Sequence, residues 1–320
     1  MRPATMERFA DYWGDDKALL DKIIFRIIPD AASRAAAFET GEVQYGPFDP
    51  VPLADVARLE DDPQLAITTD GYAWLSPFFT FEFNVQDPIT GNVKVRQAVA
   101  YAIPYQKIMD AVLFGLANPM FGAPASKAAD IAWPQAHKFN TDIEKAKALM
   151  AEAGYAGGFE TTISFDLNFA GVNEPLCILV QESLAQIGIK ATINKVPGAN
   201  WRTELNKKEM PLYTNVFSGW LDYPEYFFYW CYHGNNSVFN TMSYKSPEMD
   251  KLIDGARTAA STGDTATYDK DVKGFVDLAF TDIPRIPLYQ PFVNVAMQKN
   301  ISGYQYWFHR RLDYRALVKA

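Results

Sequence analysis

Residues 93–103 read VKVRQAVAYAI. Val95, Ala98, Val99, Ala102 and Ile103 recur at steps of three and four, which places them on one stripe of an α-helix. Just upstream, FTFEFN (residues 79–84) is aromatic and β-prone, and a loop holding Pro88 and Gly91 separates it from the helix. Strand, loop and one-striped helix form the seed of an α/β arrangement.

The pattern continues downstream. Thr141 followed by Glu144 predicts a capping box for the helix DIEKAKALMAEA, which stops at Gly154. TTISFDL (161–167) alternates as a strand does. Leu176, Leu179, Val180, Leu184 and Ile187 define an amphipathic helix, and IKATINKV (189–196) is the next strand. LYTNVFSGW (212–220) predicts a strand, Ser246-Pro247 opens a helix, residues 264–280 form another, and residues 283–299 return as β structure. Helices alternating with strands predict a largely parallel sheet. Upstream, KIIFRIIPD (22–30) is a nearly continuous apolar run that predicts a buried strand. Asp30 can cap the helix that follows, Gly41 can close it in a left-handed conformation, and GEVQYG (41–46) predicts a further strand.

Composition narrows the function. With 320 residues there is room for two domains and a sizeable core. A net charge of −8 without a dense Lys/Arg stripe disfavours nucleic acid as a partner. Three scattered histidines (His137, His233, His309) have no metal-ligand spacing, and Cys177 and Cys231 sit in apolar surroundings as buried thiols do. No cofactor motif is present. MRPATMERFADYW (1–13) lacks the continuous apolar segment of a secretory signal, and no stretch is long and apolar enough for a transmembrane helix.

The order of FTFEFN, VKVRQAVAYAI and DIPRIPLYQP (282–291) resembles the family 5 solute-binding proteins of ABC importers. Tyr12-Trp13-Gly14 and the segment from Ile28-Pro29-Asp30 through Arg34 to GEVQ are similar to that family as well, with Gln44 in place of its usual acidic residue. The resemblance implies a type II periplasmic-binding-protein-like α/β fold, two lobes with a cleft between them. Residues 1–84 and 284–320 would be partial segments of the large lobe, and residues 85–283 the ligand-gripping second lobe. The first strands of the large lobe and an extra small domain have no counterpart in this sequence. The implied role is the non-catalytic capture of a peptide or similar small amine-bearing solute for an inner-membrane ABC permease, by a monomer in the periplasm.

SGWLDYPEYFFYWCYHG (218–234) gathers two tryptophans, four tyrosines and two phenylalanines around Asp222 and Glu225. Its start resembles the family segment whose aspartate pairs with the ligand's α-ammonium group. The matching position is Asp222, with Trp220 and Tyr223 beside it, although the spacing after Trp220 is shorter here. Aromatics after a strand also build ordinary cores. Asn84 and Tyr289 fall where the chain is expected to cross between lobes, and hinge crossings line the cleft in lobed binding proteins. Asn240 and Tyr244 match a family turn followed by a capped helix, a structural role. Two other readings stand beside solute capture: a remnant without a transport role, and a hydrolase using Asp222 and Glu225 as an acid/base pair. Against the hydrolase, the two carboxylates are three residues apart beside a proline, with no orienting histidine or metal set.

Overall fold

The computed structural model of the protein describes residues 4–47, 50–68, 78–119, 138–218, 221, 223–291, 294–305 and 313–320. The chain divides into two compact units, residues 1–72 with 292–320, and residues 73–291.

In the first unit, β1 (Ala4–Glu7) and β2 (Lys22–Phe25) form an antiparallel ribbon. The expected buried strand is thus only half covered: Ile24 is 60% exposed, because β2 has one strand neighbour. Asp30 caps α1 (Ala31–Glu39) by accepting from the Ser33 amide, and Gly41 follows at φ +71. Arg34 donates to the carbonyls of Ile28, Pro29 and Pro50, tying the helix to the strand exit and to the next loop. β3 (Tyr45–Gly46), α2 (Leu53–Glu60) and β4 (Leu65–Thr68) complete this stretch.

The second unit is built on β5 (Phe78–Phe83), α3 (Val93–Ala102), the single turn α4 (Tyr105–Lys107) with its π-helical extension Ile108–Val112, and β6 (Ala117–Pro119). It continues through α5 (Ile143–Glu152), β7 (Phe159–Asp166), α6 (Ala170–Ala185), β8 (Ile189–Val196), α7 (Gly198–Lys207) and β9 (Leu212–Phe217). It ends with α8 (Pro224–Tyr232), α9 (Pro247–Thr262), α10 (Thr265–Asp282) and β10 (Arg285–Pro291). Its six strands lie in the order β6-β10-β5-β9-β7-β8. The sheet is mixed, not largely parallel. β7 runs parallel to β8 and β9, whereas β5, β9, β10 and β6 pair antiparallel. Strand direction follows from the route between strands. A single crossover helix gives a parallel neighbour, as α6 does between β7 and β8, but the long excursions around β5 and β10 bring the chain back the other way.

Val95, Val99 and Ile103 have no exposure, so the VRQAVAYAI helix is a packing element. Its Arg96 is buried too. It donates to the carbonyls of Asp282, Thr90 and Gly91 at 2.6–2.9 Å, and burial pushes its guanidinium pKa down to about 10. Asp142, one residue beyond the expected Thr141, caps α5. It accepts from the Lys145 amide, while the Thr141 hydroxyl donates to the Ile103 carbonyl. Gly158 (φ +74) meets Gly188 so closely that a Cβ would stand 1.9 Å from the Gly188 oxygen. Only glycine permits that contact between the two loops.

The chain then returns to the first unit. β11 (Val295–Gln298) inserts between β3 and β4, and β12 (Ile301–Ser302) pairs with β13 (Val318–Lys319). Val295, Met297, Ile301 and Leu317 form one core cluster of this unit, with Leu20, Tyr45, Tyr304 and Tyr314 packed around them. N- and C-terminal segments thus share one sheet. The units divide at 72/73 and 291/292, outside the crossings expected at 84/85 and 283/284, because β5 and β10 hydrogen-bond inside the middle sheet.

Candidate functional site

Of the residues singled out in the sequence, Trp220 and Asp222 lie outside the described residues. Tyr223 is described. It takes the extended N-cap position of α8 and is 55% exposed, and Pro224 then starts the helix with its fixed φ. Asn84 is buried at the end of β5. Its side-chain nitrogen donates to the Lys208 carbonyl at 2.8 Å and its oxygen accepts from the Gln86 amide at 3.0 Å, so the amide holds backbone. Tyr289 is buried in β10 with its ring stacked on Phe79, centroids 4.8 Å apart. Phe79 and Asn84 are five residues apart on one strand, roughly 17 Å at the usual rise, so Asn84 and Tyr289 do not converge.

The aromatic run resolves into a two-faced helix. Phe227, Phe228, Cys231 and Tyr232 face the core, where Phe228 stacks on Tyr232 and meets Phe275 of α10 at 4.1 Å. Burial pushes the Cys231 thiol up to about 12, so it stays protonated and inert at neutral pH. Glu225, Tyr226, Tyr229 and Trp230 lie on the other, half-exposed face. Gly263, in the left-handed conformation, turns the chain from α9 into α10. A cavity of about 890 Å³ opens between α8 and this turn, lined among others by Tyr223, Glu225, Tyr229, Trp230, Arg257 and Tyr268. The Tyr268 hydroxyl donates to Glu225 Oε2 at 2.7 Å. Burial first, and then this bond, raise the Tyr268 pKa, so the hydroxyl remains a donor. The guanidinium of Arg257 lies over the Tyr229 ring at 4.0 Å. An apolar, aromatic wall with a few placed polar groups is the general form of a small-molecule site.

A second polar cluster is fully buried and sits within the sheet. Glu82 of β5 and Arg285 of β10 are cross-strand partners 3.3 Å apart, at 0% and 1% exposure. The hydroxyls of Thr80 and Thr241 donate to Glu82 at 2.8 and 2.5 Å, and Arg285 lies 5.2 Å from the centre of the Tyr232 ring. Among the described residues no group of three or more His, Cys, Asp or Glu side chains could hold a metal. The sequence pattern alone does not single out Arg257, Tyr268 or the Glu82–Arg285 pair. A charge inside FFTFEF, facing another inside RIPLY, was the one local signal for the pair. Arg257 and Tyr268 left none, since they stand 32 and 43 residues from Glu225.

Residues 2–239 match the family described as bacterial extracellular solute-binding proteins, family 5 Middle. The glutathione-binding protein GsiB of Escherichia coli O1:K1 is 29% identical over 312 residues, 93% of this chain and 58% of that protein. The periplasmic binding protein DppA from Helicobacter pylori, solved with the peptide STSA, is 26% identical with a TM-score of 0.83 over 99% of this chain and 60% of its own. AgaA of A. tumefaciens R10, solved with agropinic acid, is 26% identical with a TM-score of 0.84 over 100% and 65%. The chain thus spans about three fifths of the length of these relatives, and the fold class is that of the α/β type II periplasmic binding proteins.

Proposed function

Because the chain belongs to the family 5 bacterial extracellular solute-binding proteins, we propose that it captures a peptide or similar small amine-bearing solute and delivers it to an ABC permease of the inner membrane. The observation that carries this is the family match over residues 2–239. GsiB, named for glutathione, and DppA, holding a peptide, support the solute class. In this reading the protein is non-catalytic, works in the periplasm as a monomer, and among its described residues has no helix long and apolar enough to cross a membrane.

Asp222 would receive the solute's ammonium group, with Trp220 and Tyr223 supplying aromatic faces. A carboxylate facing an ammonium forms a charge-assisted hydrogen bond worth about 1.5–3 kcal/mol, and an aromatic face adds roughly 0.5–2 kcal/mol. Asn84 and Tyr289 would contribute from inside the sheet by holding strand ends in place. Calorimetry with glutathione and with the tetrapeptide STSA, on the protein and on Asp222→Asn, tests the reading. The expected result is binding of at least one of them that weakens about tenfold or more in the variant. Equal affinities would remove Asp222 from the site. Absence of binding to either, together with hydrolysis of either, would replace capture by catalysis.

A further inference from the structure

We infer that the cavity between α8 and the α9–α10 turn is a binding site of its own, for a small zwitterion with an apolar side chain, a dipeptide or an amino acid. The inference goes beyond the Asp222 reading: the two share Tyr223 in their aromatic walls, but here Glu225 and Arg257 take the charged ends of the solute.

Three features of the cavity point to this ligand. The first is the wall. Tyr223, Tyr226, Tyr229 and Trp230 present aromatic surface into a space of about 890 Å³, large enough for a dipeptide. On a helix built only to pack, the second face would be polar; here it is aromatic and only partly covered. The second is the acidic group. Glu225 stands in the first turn of α8, where the helix dipole favours its charge. Tyr268 takes Oε2 and leaves Oε1 without a hydrogen bond from the described residues, so one carboxylate oxygen is oriented and available. The third is the basic group. Arg257 lies over the Tyr229 ring at 4.0 Å and touches Asp254 only at 3.5 Å, which leaves most of its five donors for a carboxylate. Asp264, the other acidic residue of the lining, is already engaged by Thr267 as the cap of α10. An acidic and a basic group on one aromatic cavity match an ammonium and a carboxylate on one apolar molecule. A cation alone would be opposed by Arg257, and an anion alone by Glu225.

The test uses the dipeptide Phe-Ala, its N-acetyl form, which lacks the ammonium, and its amide, which lacks the carboxylate. Calorimetry on the whole protein should rank Phe-Ala above both blocked forms. Glu225→Gln keeps an oxygen for Tyr268 and should weaken Phe-Ala about tenfold while leaving the N-acetyl form unchanged or improved. Arg257→Gln should do the reverse, weakening Phe-Ala and sparing the amide. Melting midpoints near that of the parent protein confirm that both variants fold. Equal binding of all three compounds, no binding of Phe-Ala, or Phe-Ala affinity that ignores both substitutions would each overturn the site. Loss of binding in Asp222→Asn alone would overturn it while leaving solute capture standing. Loss in Glu225→Gln and Arg257→Gln but not in Asp222→Asn would support it and move capture away from Asp222.

Discussion

β2 and β5 are both short strands rich in apolar residues, KIIF and FFTFEF, yet the fold treats them in opposite ways. Ile24 of β2 is 60% exposed, and Met6, Phe9, Trp13, Leu19 and Ile27 around the ribbon are more than half exposed as well. In β5, Phe81 and Phe83 are fully buried, and so is the carboxylate of Glu82 on the other face. An isoleucine lies in solvent while a glutamate lies in the core. Side-chain hydrophobicity does not decide this; the number of neighbours does. β5 has a strand on each edge and is buried on both faces, whereas β2 has β1 alone. Glu82 tolerates its position because Arg285, Thr80 and Thr241 meet its charge and its lone pairs.

The strongest way to break this comparison is to strip the buried charge of its partner. Arg285→Met should leave Glu82 uncompensated and cost about 3–5 kcal/mol. Adding Glu82→Met should recover most of the loss, since an apolar pair of similar volume needs no counter-charge. Denaturant unfolding of the two variants reads both effects, and a single variant as stable as the parent would show that water reaches Glu82. A smaller effect is expected at Arg96, which joins the VRQAVAYAI helix to the end of α10. Arg96→Met strands the carbonyls of Asp282, Thr90 and Gly91 and should cost about 2–3 kcal/mol in the same assay. The smallest is in the ribbon. Ile24→Ser should change stability by less than about 0.5 kcal/mol, and amides of β1 and β2 should exchange far faster than those of β5 and β10. Slow exchange in the ribbon would mean that β2 has a covered face in solution.

Much of the chain's architecture could be read locally. Asp30 and Ser246 cap helices and Gly41, Gly154 and Gly263 follow them because these tasks involve neighbours within a turn. The stripe of Val95, Val99 and Ile103 is visible because helical periodicity is a property of sequence alone. Where local signals competed, geometry chose: Asp142 and not Thr141 became the cap once the Thr141 hydroxyl was drawn to the Ile103 carbonyl.

The sequence by itself determined many of the elements, their order along the chain, and the family. Only the tertiary structure decided which strands are central, that Glu82 finds Arg285, and that Glu225 shares a cavity with Tyr268 and Arg257. The reason is physical. Propensity, capping and periodicity act over a few residues, whereas pairing direction, burial and charge compensation depend on groups far apart in the chain, whose proximity exists only after folding.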